Sequence, residues 1–322
     1  MRYFSLPGIA TATSAICLGT GGHGSAYSQE HSFALLDAFA GLGGTFLDTA
    51  HVYADWIPGG SGASERTVGA WLESRGVRDR FVVGTKGGHP KLETMQVSRL
   101  RPEEIAADLD ESLQRLRLNT VDLYWLHRDD PDIPVGEILT TLNRFLDQGR
   151  IRAMGASNWS TSRLAEAARY TDRNGLTGFC ASQIAWSLAE ANEAYNAEMR
   201  TLAMDAASLS YYCKSKLPVI PYTSQAGGFF AHPYDPGGSK FRGFLNTLNA
   251  VRWERAQTIA SRKQVSPNAV AVAYLLNHPC GGSAIVGSRS IEQVEDSCHA
   301  ADILLSAEDL TYLEGSSQSG SL

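Results

Sequence analysis

Four side chains able to move a proton recur where short apolar runs end. Asp48 and Tyr53 lie in GTFLDTAHVY (44–53), Lys86 closes RFVVGTK (80–86), and His127 closes VDLYWLH (121–127). A phenol, with an ordinary pKa of about 10, is a poor acid at neutral pH. An adjacent ammonium stabilises the phenolate and lowers that value, and Lys86 can supply it. A lysine at a partly buried rim needs a counter-charge to stay ionised, and Asp48 can be that partner. His127 can donate a hydrogen bond to a carbonyl oxygen from the other side. A ketone or aldehyde between Tyr53 and His127 would be polarised twice and would take its proton from Tyr53. Positioned acid catalysis of this kind is worth roughly 10²–10⁴ in rate. No side chain donates hydride, so the chemistry implies a cofactor.

The ends of the later runs suit such a cofactor. Ser157 and Asn158 close IRAMGASN, and Gln183 closes FCASQ. Asn158 and Gln183 offer donors and acceptors for a carboxamide. Tyr222, after LPVIP, offers a ring face for stacking on a nicotinamide. Ser288 and Arg289, before the last long helix, suit a phosphate. Gly19 and Thr20, where the first strand leaves the core, join this cofactor set. Trp56, Trp159 and Trp186 fall near the same rim. Aromatic walls around one polar centre suit a stacked sugar face or an aromatic aldehyde. Of these, the expectation is a sugar-like or small polar carbonyl. Each residue alone has an ordinary structural role. One such group per strand, in this order, is hard to obtain by chance.

These residues need rigid elements behind them. Apolar runs at 15–19, 45–48, 80–86, 121–127, 151–158, 179–183, 217–222 and 283–287 read as strands. Helical periodicity fills the intervals: 29–41 with a cap at Ser28, 64–76 with a cap at Ser64, 101–118, 135–149, 161–175, 193–209, and 250–263 with 267–277. A helix follows the eighth strand. Strand–helix alternation counted eight times, with no linker, predicts a single (β/α)₈ TIM barrel over 1–322. Two features are added to it. Residues 223–247 form a loop too long for an ordinary connection, and SAEDLTYLEG (306–315) forms a short C-terminal helix. The final serines and glycine read as a frayed end. In this fold the chemistry sits at the C-terminal ends of the strands, which here are Thr20, Asp48, Lys86, His127, Ser157/Asn158, Gln183, Tyr222 and Ser288/Arg289.

Composition narrows the partners. The chain has 322 residues, 43% of them apolar, and a formal net charge of −6. That charge gives no hint of nucleic-acid binding, and no apolar run reaches the ~18 residues a membrane span needs. The N-terminal stretch lacks the pattern of a signal peptide. The five cysteines, Cys17, Cys180, Cys213, Cys280 and Cys298, are scattered and odd in number. They read as reduced thiols in a cytoplasm. The eight histidines have no metal-ligand spacing. A rival reading is a Rossmann dehydrogenase. GTGGHG (19–24) spells G-x-G-x-x-G after a strand, with Asp48 at ribose distance. Against it, the first helix cap, Ser28, lies beyond the last glycine.

With those motifs in hand, the chain resembles the aldo-keto reductase family over about 15–300. The carriers are GGTFLDTAHVY (43–53), GASERTVGAWL (62–72), VVGTKGG (82–88), VDLYWLHRDD (121–130), GRIRAMGASNW (149–159), ASQIAWSL (181–188), VIPYTSQAGG (219–228) and AIVGSRSIEQVED (284–296). The resemblance implies an NADP(H)-dependent carbonyl reductase acting on a small-molecule carbonyl. It implies Tyr53 as proton donor, completed by Asp48, Lys86 and His127. It implies Ser157, Asn158 and Gln183 on the carboxamide and Tyr222 on the nicotinamide. Ser288, Arg289, Gln293 and the Asp296 region would hold the adenosine phosphate. It also admits a catalytically weak nucleotide-sensing subunit of a larger assembly. Three departures stand out. Asp296 and Ser297 replace the usual glutamate–asparagine pair near the adenine, TSQAGG replaces a Ser-Pro-Leu continuation after Tyr222, and Trp186 stands where many relatives have tyrosine. Oligomeric state is not legible in the sequence.

Overall fold

The computed structural model describes residues 1–237 and 239–315, so the serine-rich end predicted to fray lies outside the described residues. A short hairpin, β1 (Tyr3–Phe4) and β2 (Thr13–Ser14), precedes a parallel sheet of β3 (Ile16–Gly19), β4 (Phe46–Asp48), β5 (Val82–Gly87), β6 (Val121–Leu126), β7 (Ile151–Ser157), β8 (Ala181–Gln183) and β9 (Ala284–Val286). The order β8-β7-β6-β5-β4-β3-β9 places each strand beside its successor and returns β9 to β3. Helices α1 (Gln29–Gly41), α2 (Ala63–Arg75), α3 (Pro102–Leu116), α4 (Val135–Asp147) and α5 (Thr161–Asn174) fill the first intervals. Then come α6 (Glu193–Met199), α7 (Ala206–Ser215), α8 (Thr247–Lys263), α9 (Pro267–Asn277), α10 (Ile291–His299) and α11 (Ala307–Glu314). This is the (β/α)₈ barrel the alternation predicts, with a long connection after the seventh barrel position and a short C-terminal helix.

The seventh position departs from expectation. Residues 217–222 form no ladder strand. They close the ring by single contacts: Ser182 N donates to Pro218 O (2.9 Å), Ile220 N to Ser182 O (2.9 Å), and Ile285 N to Pro221 O (2.8 Å). Pro218 and Pro221 have no N–H to give, so a continuous ladder cannot form. Two helices also differ. The span expected at 193–209 breaks into α6 and α7, because Arg200 takes a left-handed φ of 51° and Asp205 caps a new start at Ser208 N. Helix α2 begins one residue before Ser64, capped by Gly62 at φ 67°. Ser64 lies inside the first turn, where its hydroxyl donates to Thr20 O (2.7 Å) and meets the hydroxyls of Thr20 and Thr49.

Inward-facing residues alternate along each strand, as a closed barrel requires. Cys17, Phe46, Val82, Leu123, Trp125, Ala153, Ala181, Ile220 and Ile285 form one interior cluster, joined by Leu6 and Ile9 from the loop between β1 and β2. No sequence signal marks this hairpin. Its strands are two residues each, too short for a periodic signal. Trp125 is level with Lys86 on one side and Gly155 on the other. Its ring fills space that side chains would otherwise claim: a Cβ on Gly155 would sit 2.3 Å from it, and one on Gly84 would sit 3.0 Å from its Nε1.

The cysteine reading is corrected for one pair. The fold brings Cys213 and Cys280 into disulfide contact, with Cα atoms 5.0 Å apart and 67 residues between them in the chain. Cys17, Cys180 and Cys298 are buried free thiols. No helix among the described residues is long and apolar enough to cross a membrane, and no group of metal-ligating side chains gathers there. Gly155→Ala is expected to lose about 1–3 kcal/mol of stability through overpacking against Trp125. Urea unfolding of the two proteins measures this, and an unchanged midpoint would contradict the packing described.

Candidate active site

Continuing the inward alternation two residues past the interior cluster reaches the residues singled out by their chemistry. Asp48 follows Phe46, Gly84 and Lys86 follow Val82, and His127 follows Trp125. Ser157 follows Gly155, Gln183 follows Ala181, and Tyr222 follows Ile220. They are the last inward positions before the chain leaves the barrel. The register is tight there: Gly19 is paired with Asp48, Asp48 with Gly84, and Ser157 with Gln183.

Lys86 is the hub. Its ammonium donates to Asp48 Oδ2 (2.5 Å), Thr49 O (2.8 Å) and the Tyr53 hydroxyl (2.9 Å), which uses all three of its protons. Asp48 and Lys86 are 1–2% exposed. Burial alone would lower the Lys86 pKa, but the Asp48 carboxylate and then Tyr53 raise it above its ordinary value. Gln183 Nε2 donates to Asp48 Oδ1 (2.8 Å), so both carboxylate oxygens are engaged. The expected acidification of Tyr53 is corrected. Burial raises its pKa more than the Lys86 charge lowers it, and Asp48 adds to the rise. Tyr53 therefore keeps its proton at neutral pH.

His127 stands edge-on to Tyr53, with ring centroids 6.0 Å apart. Burial, then the Lys86, His89 and Arg128 charges, hold its pKa well below the ordinary histidine range, so the imidazole is neutral. Its Nδ1 is buried and meets no partner among the described residues. His89, absent from the sequence reading, packs on it at 4.8 Å, with Nδ1 against Pro90 O (2.6 Å). Its only sequence signal is position, three residues past Lys86 in GTKGGHP.

Asn158 lies outside the alternation. A left-handed φ of 60° turns its side chain back toward the mouth. Its Nδ2 donates to His127 O (3.3 Å) and Ser157 Oγ (3.2 Å), while Oδ1 accepts from the Tyr222 hydroxyl (2.5 Å) and Leu202 N (3.4 Å). Burial pushes the Tyr222 phenol up to about 12. The geometry thus brings Ser157, Asn158, Gln183 and Tyr222 beside the charged centre.

Other expected residues stand elsewhere. Thr20 does not open to the mouth: it is fully buried, and its hydroxyl donates to Asp48 O (3.0 Å) and meets Ser64. Gly19 leaves little room beside it, since a Cβ there would lie 3.0 Å from Ile285. Ser288 is buried with a hydroxyl that meets no partner among the described residues, whereas Arg289 is exposed just before α10. Gln293 Oε1 accepts from Arg289 N (2.8 Å). Asp296 accepts from Asn268 (2.8 Å), and Ser297 and Gly287 are tied to opposite ends of the Gln225 amide (3.1 Å each). Of the three tryptophans, only Trp56 stays at the rim, 57% exposed and edge-on to Tyr53 at 6.3 Å. Trp159 is buried against Phe179 and donates to Arg128 O, and Trp186 is buried against Tyr274 and His278. The expectation that these two wall a substrate is corrected, because both side chains turn into the helix layer.

The Rossmann reading also falls. Gly19 ends β3 and the chain turns through 21–24, the first helix starts only at Gln29 behind the Ser28 cap, and Asp48 is paired with Lys86. Comparison with known proteins decides between the families. A sequence model of the Aldo/keto reductase family matches residues 15–318.

The chain belongs to the aldo/keto reductase family.

Relatives within and around this family agree. A norsolorinic acid reductase of Emericella nidulans is 28% identical, the match covering 94% of this chain and 77% of the relative. An aryl-alcohol dehydrogenase [NADP(+)] of Phanerodontia chrysosporium is 27% identical, covering 88% of this chain and 75% of that one. The crystal structure of an aldo-keto reductase from Klebsiella pneumoniae in complex with NADPH superposes with a TM-score of 0.69 at 27% identity, covering 94% and 90% of the two chains. A thermostable aldo-keto reductase, Tm1743, superposes at 0.74 with 23% identity, covering 98% and 99%, and shares the fold.

Two measurements test the electrostatics of this aldo/keto reductase. Lys86→Met strands the buried Asp48 carboxylate and is expected to cost about 3–5 kcal/mol of stability, read by urea unfolding. The second concerns protons. His23 is pulled from 6.5 to about 4, burial first and then the His31 charge, and burial also lowers His89, His127 and His278. Below pH 6.5 the unfolded chain binds protons the folded chain refuses, so stability falls with pH across the window from 6.5 to 4. His23 alone contributes about 3 kcal/mol of that loss. Urea midpoints at pH 7 and pH 5 should differ in that direction, and His23→Leu should flatten the slope.

Proposed function

We propose that this enzyme reduces the carbonyl of an aromatic aldehyde or ketone to an alcohol with NADPH, Tyr53 giving the proton. The observation that carries this is the Lys86–Tyr53 hydrogen bond. Because the ammonium donates to the phenolic oxygen, the phenol's own proton must point elsewhere, and the mouth is the open direction. As that proton leaves for the carbonyl oxygen, the phenolate forms 2.9 Å from an ammonium already in place. No reorganisation is needed at that moment, which is how preorganised charge lowers a barrier. Asp48 keeps Lys86 charged, and Gln183 keeps Asp48 oriented. His127 acts as a neutral donor. An N–H buried without an acceptor costs more than a lone pair without a donor, so its proton belongs on Nε2 and Nδ1 carries the lone pair. Nε2–H then donates to the same carbonyl oxygen.

NADPH, when bound, supplies the hydride. The residues present suit it. Tyr222 offers a ring beside the charged centre, and Asn158 and the Oε1 edge of Gln183 suit a carboxamide, with the long Leu202 N contact the easiest to yield. The unpartnered Ser288 hydroxyl, the exposed Arg289 and the start of α10 suit a phosphate, and an arginine there favours NADPH over NADH. The expectation of a sugar-like substrate relies on three tryptophans at the rim. With Trp159 and Trp186 buried, Trp56 alone remains, and the relatives named for norsolorinic acid and aryl alcohols support an aromatic substrate. Residues 1–322 act in this reading as one catalytic domain. A cytoplasmic site of action is part of the proposal. The three buried thiols support it, and the Cys213–Cys280 contact counts against it.

Tyr53→Phe is expected to lose about 10²–10⁴ of NADPH-dependent benzaldehyde reduction, followed at the absorbance of the reduced cofactor. NADPH should still bind, as read by quenching of tryptophan fluorescence. Retained turnover would remove Tyr53 from the mechanism.

A further inference from the structure

Arg128 follows His127 directly and is half-buried beside the mouth. Its Nη1 donates to the main-chain oxygen of Arg200 (2.5 Å). Among the described residues no carboxylate lies within ion-pair distance of either guanidinium. Other arginines of similar burial do meet one: Arg78 has Asp122, Arg99 has Asp108, Arg115 has Glu65, Arg163 has Asp129 and Arg252 has Glu190. Arg2 and Arg255 are further exceptions, but both are held elsewhere, Arg2 by Ala301 O and Asn277 and Arg255 by Tyr312 O. Removing a guanidinium from water without a counter-charge is unfavourable, so an unpaired arginine at a rim is poised for an anion.

The surroundings say where that anion would lie. The Arg128 charge acts on both imidazoles, His127 and His89, and on the Tyr222 phenol, while the Arg200 charge acts on Arg128. Arg200 ends α6, and its side chain reaches Met95 O (3.4 Å). Two residues on, Leu202 N meets Asn158. Arg128 thus follows His127 at the β6 end of the mouth, with the main chain of Arg200 against it. The nearby acids are engaged or remote in role: Asp129 pairs with Arg163, and Asp130 accepts from Asp132 N. Asp55, exposed on the loop after β4, acts on His89. The anion is not the cofactor phosphate of the reading above. Arg289 follows β9, and β9 stands opposite β6 in the eight-position ring.

We propose that Arg128, with Arg200, forms a carboxylate subsite, so that the favoured substrates are aromatic aldehydes or ketones that also carry a carboxylate. This rests on the carbonyl-reductase reading and adds the charge of the substrate. A planar guanidinium matches a carboxylate in two parallel hydrogen bonds, which fixes the aryl ring as well as holding it. Orientation at the carbonyl then follows from binding at the other end of the molecule.

The test compares 4-carboxybenzaldehyde with its methyl ester, using NADPH. Wild-type enzyme is expected to favour the carboxylate in kcat/KM by about tenfold or more, the worth of a charge-assisted hydrogen bond. Added salt should shrink the preference. Arg128→Gln should lower the carboxylate-to-ester ratio about tenfold, chiefly through KM, and Arg128→Lys should restore part of it. Circular dichroism melts confirm that the variants fold. Equal kcat/KM for the two aldehydes, or an unchanged ratio in Arg128→Gln, overturns the subsite. So does weaker NADPH binding in that variant with the preference intact. If neither aldehyde is turned over, the reductase reading fails by itself, and the subsite is judged by fluorescence titration with 4-(hydroxymethyl)benzoate. Tighter binding to wild type than to Arg128→Gln supports it, and equal binding overturns it.

Discussion

One buried ammonium organises the mouth of this barrel. Lys86 has three protons and three acceptors, supplied by β4, the turn after it and the loop carrying Tyr53. A lysine this deep is unfavourable unless a carboxylate answers it, and Asp48 does so while Gln183 holds the second oxygen. The phenol is therefore oriented by a charge that cannot leave without stranding another. Because burial outweighs the lysine's acidifying pull, Tyr53 is a protonated donor beside a cation rather than a preformed phenolate. That is the protonation state a reduction requires.

The barrel makes the arrangement rigid by parity. Inward positions fill the interior with Phe46, Val82, Leu123, Trp125 and their neighbours, and further along the same inward rows stand Asp48, Lys86, His127, Gln183 and Tyr222. Trp125 has the room it needs because Gly84 and Gly155 lack side chains. The same geometry lets the mouth be polar while the interior stays dry, since two residues of strand separate the layers. The seventh position is the weak member of the ring, held by contacts either side of Pro218 and Pro221. From it leads the long loop 223–247.

Two of the three departures from the family pattern, the Asp296–Ser297 pair and the TSQAGG stretch, are connected in space. Gln225, in the stretch TSQAGG, bonds Gly287 N, Ser297 and Asn268, and Asn268 bonds Asp296. Ser297 is thus a direct partner of Gln225, and Asp296 is joined to it through Asn268. The loop, α9 and α10 are joined by side-chain amides on the side of the ring where Ser288 and Arg289 lie.

Much of this was legible in the sequence. Eight apolar runs separated by helical periods define a barrel, because a strand buried on both faces must be apolar throughout and a helix must cover it. The polar or aromatic end of each run marked Asp48, Lys86, His127, Gln183 and Tyr222, since nothing in strand packing demands those residues there. What remained hidden needed three dimensions. Trp159 and Trp186 sit near rim residues in sequence, but rotamer and neighbours turn them into the helix layer. Cys213 and Cys280 meet across 67 residues, and β1 and β2 are too short to show a period. The sign of the Tyr53 shift could not be read from its partners, because it depends on how much water the fold removes. That Arg128 meets a main-chain oxygen and, among the described residues, no carboxylate is of the same kind. The order of residues sets which charges exist, and only the packed chain decides which of them find a partner.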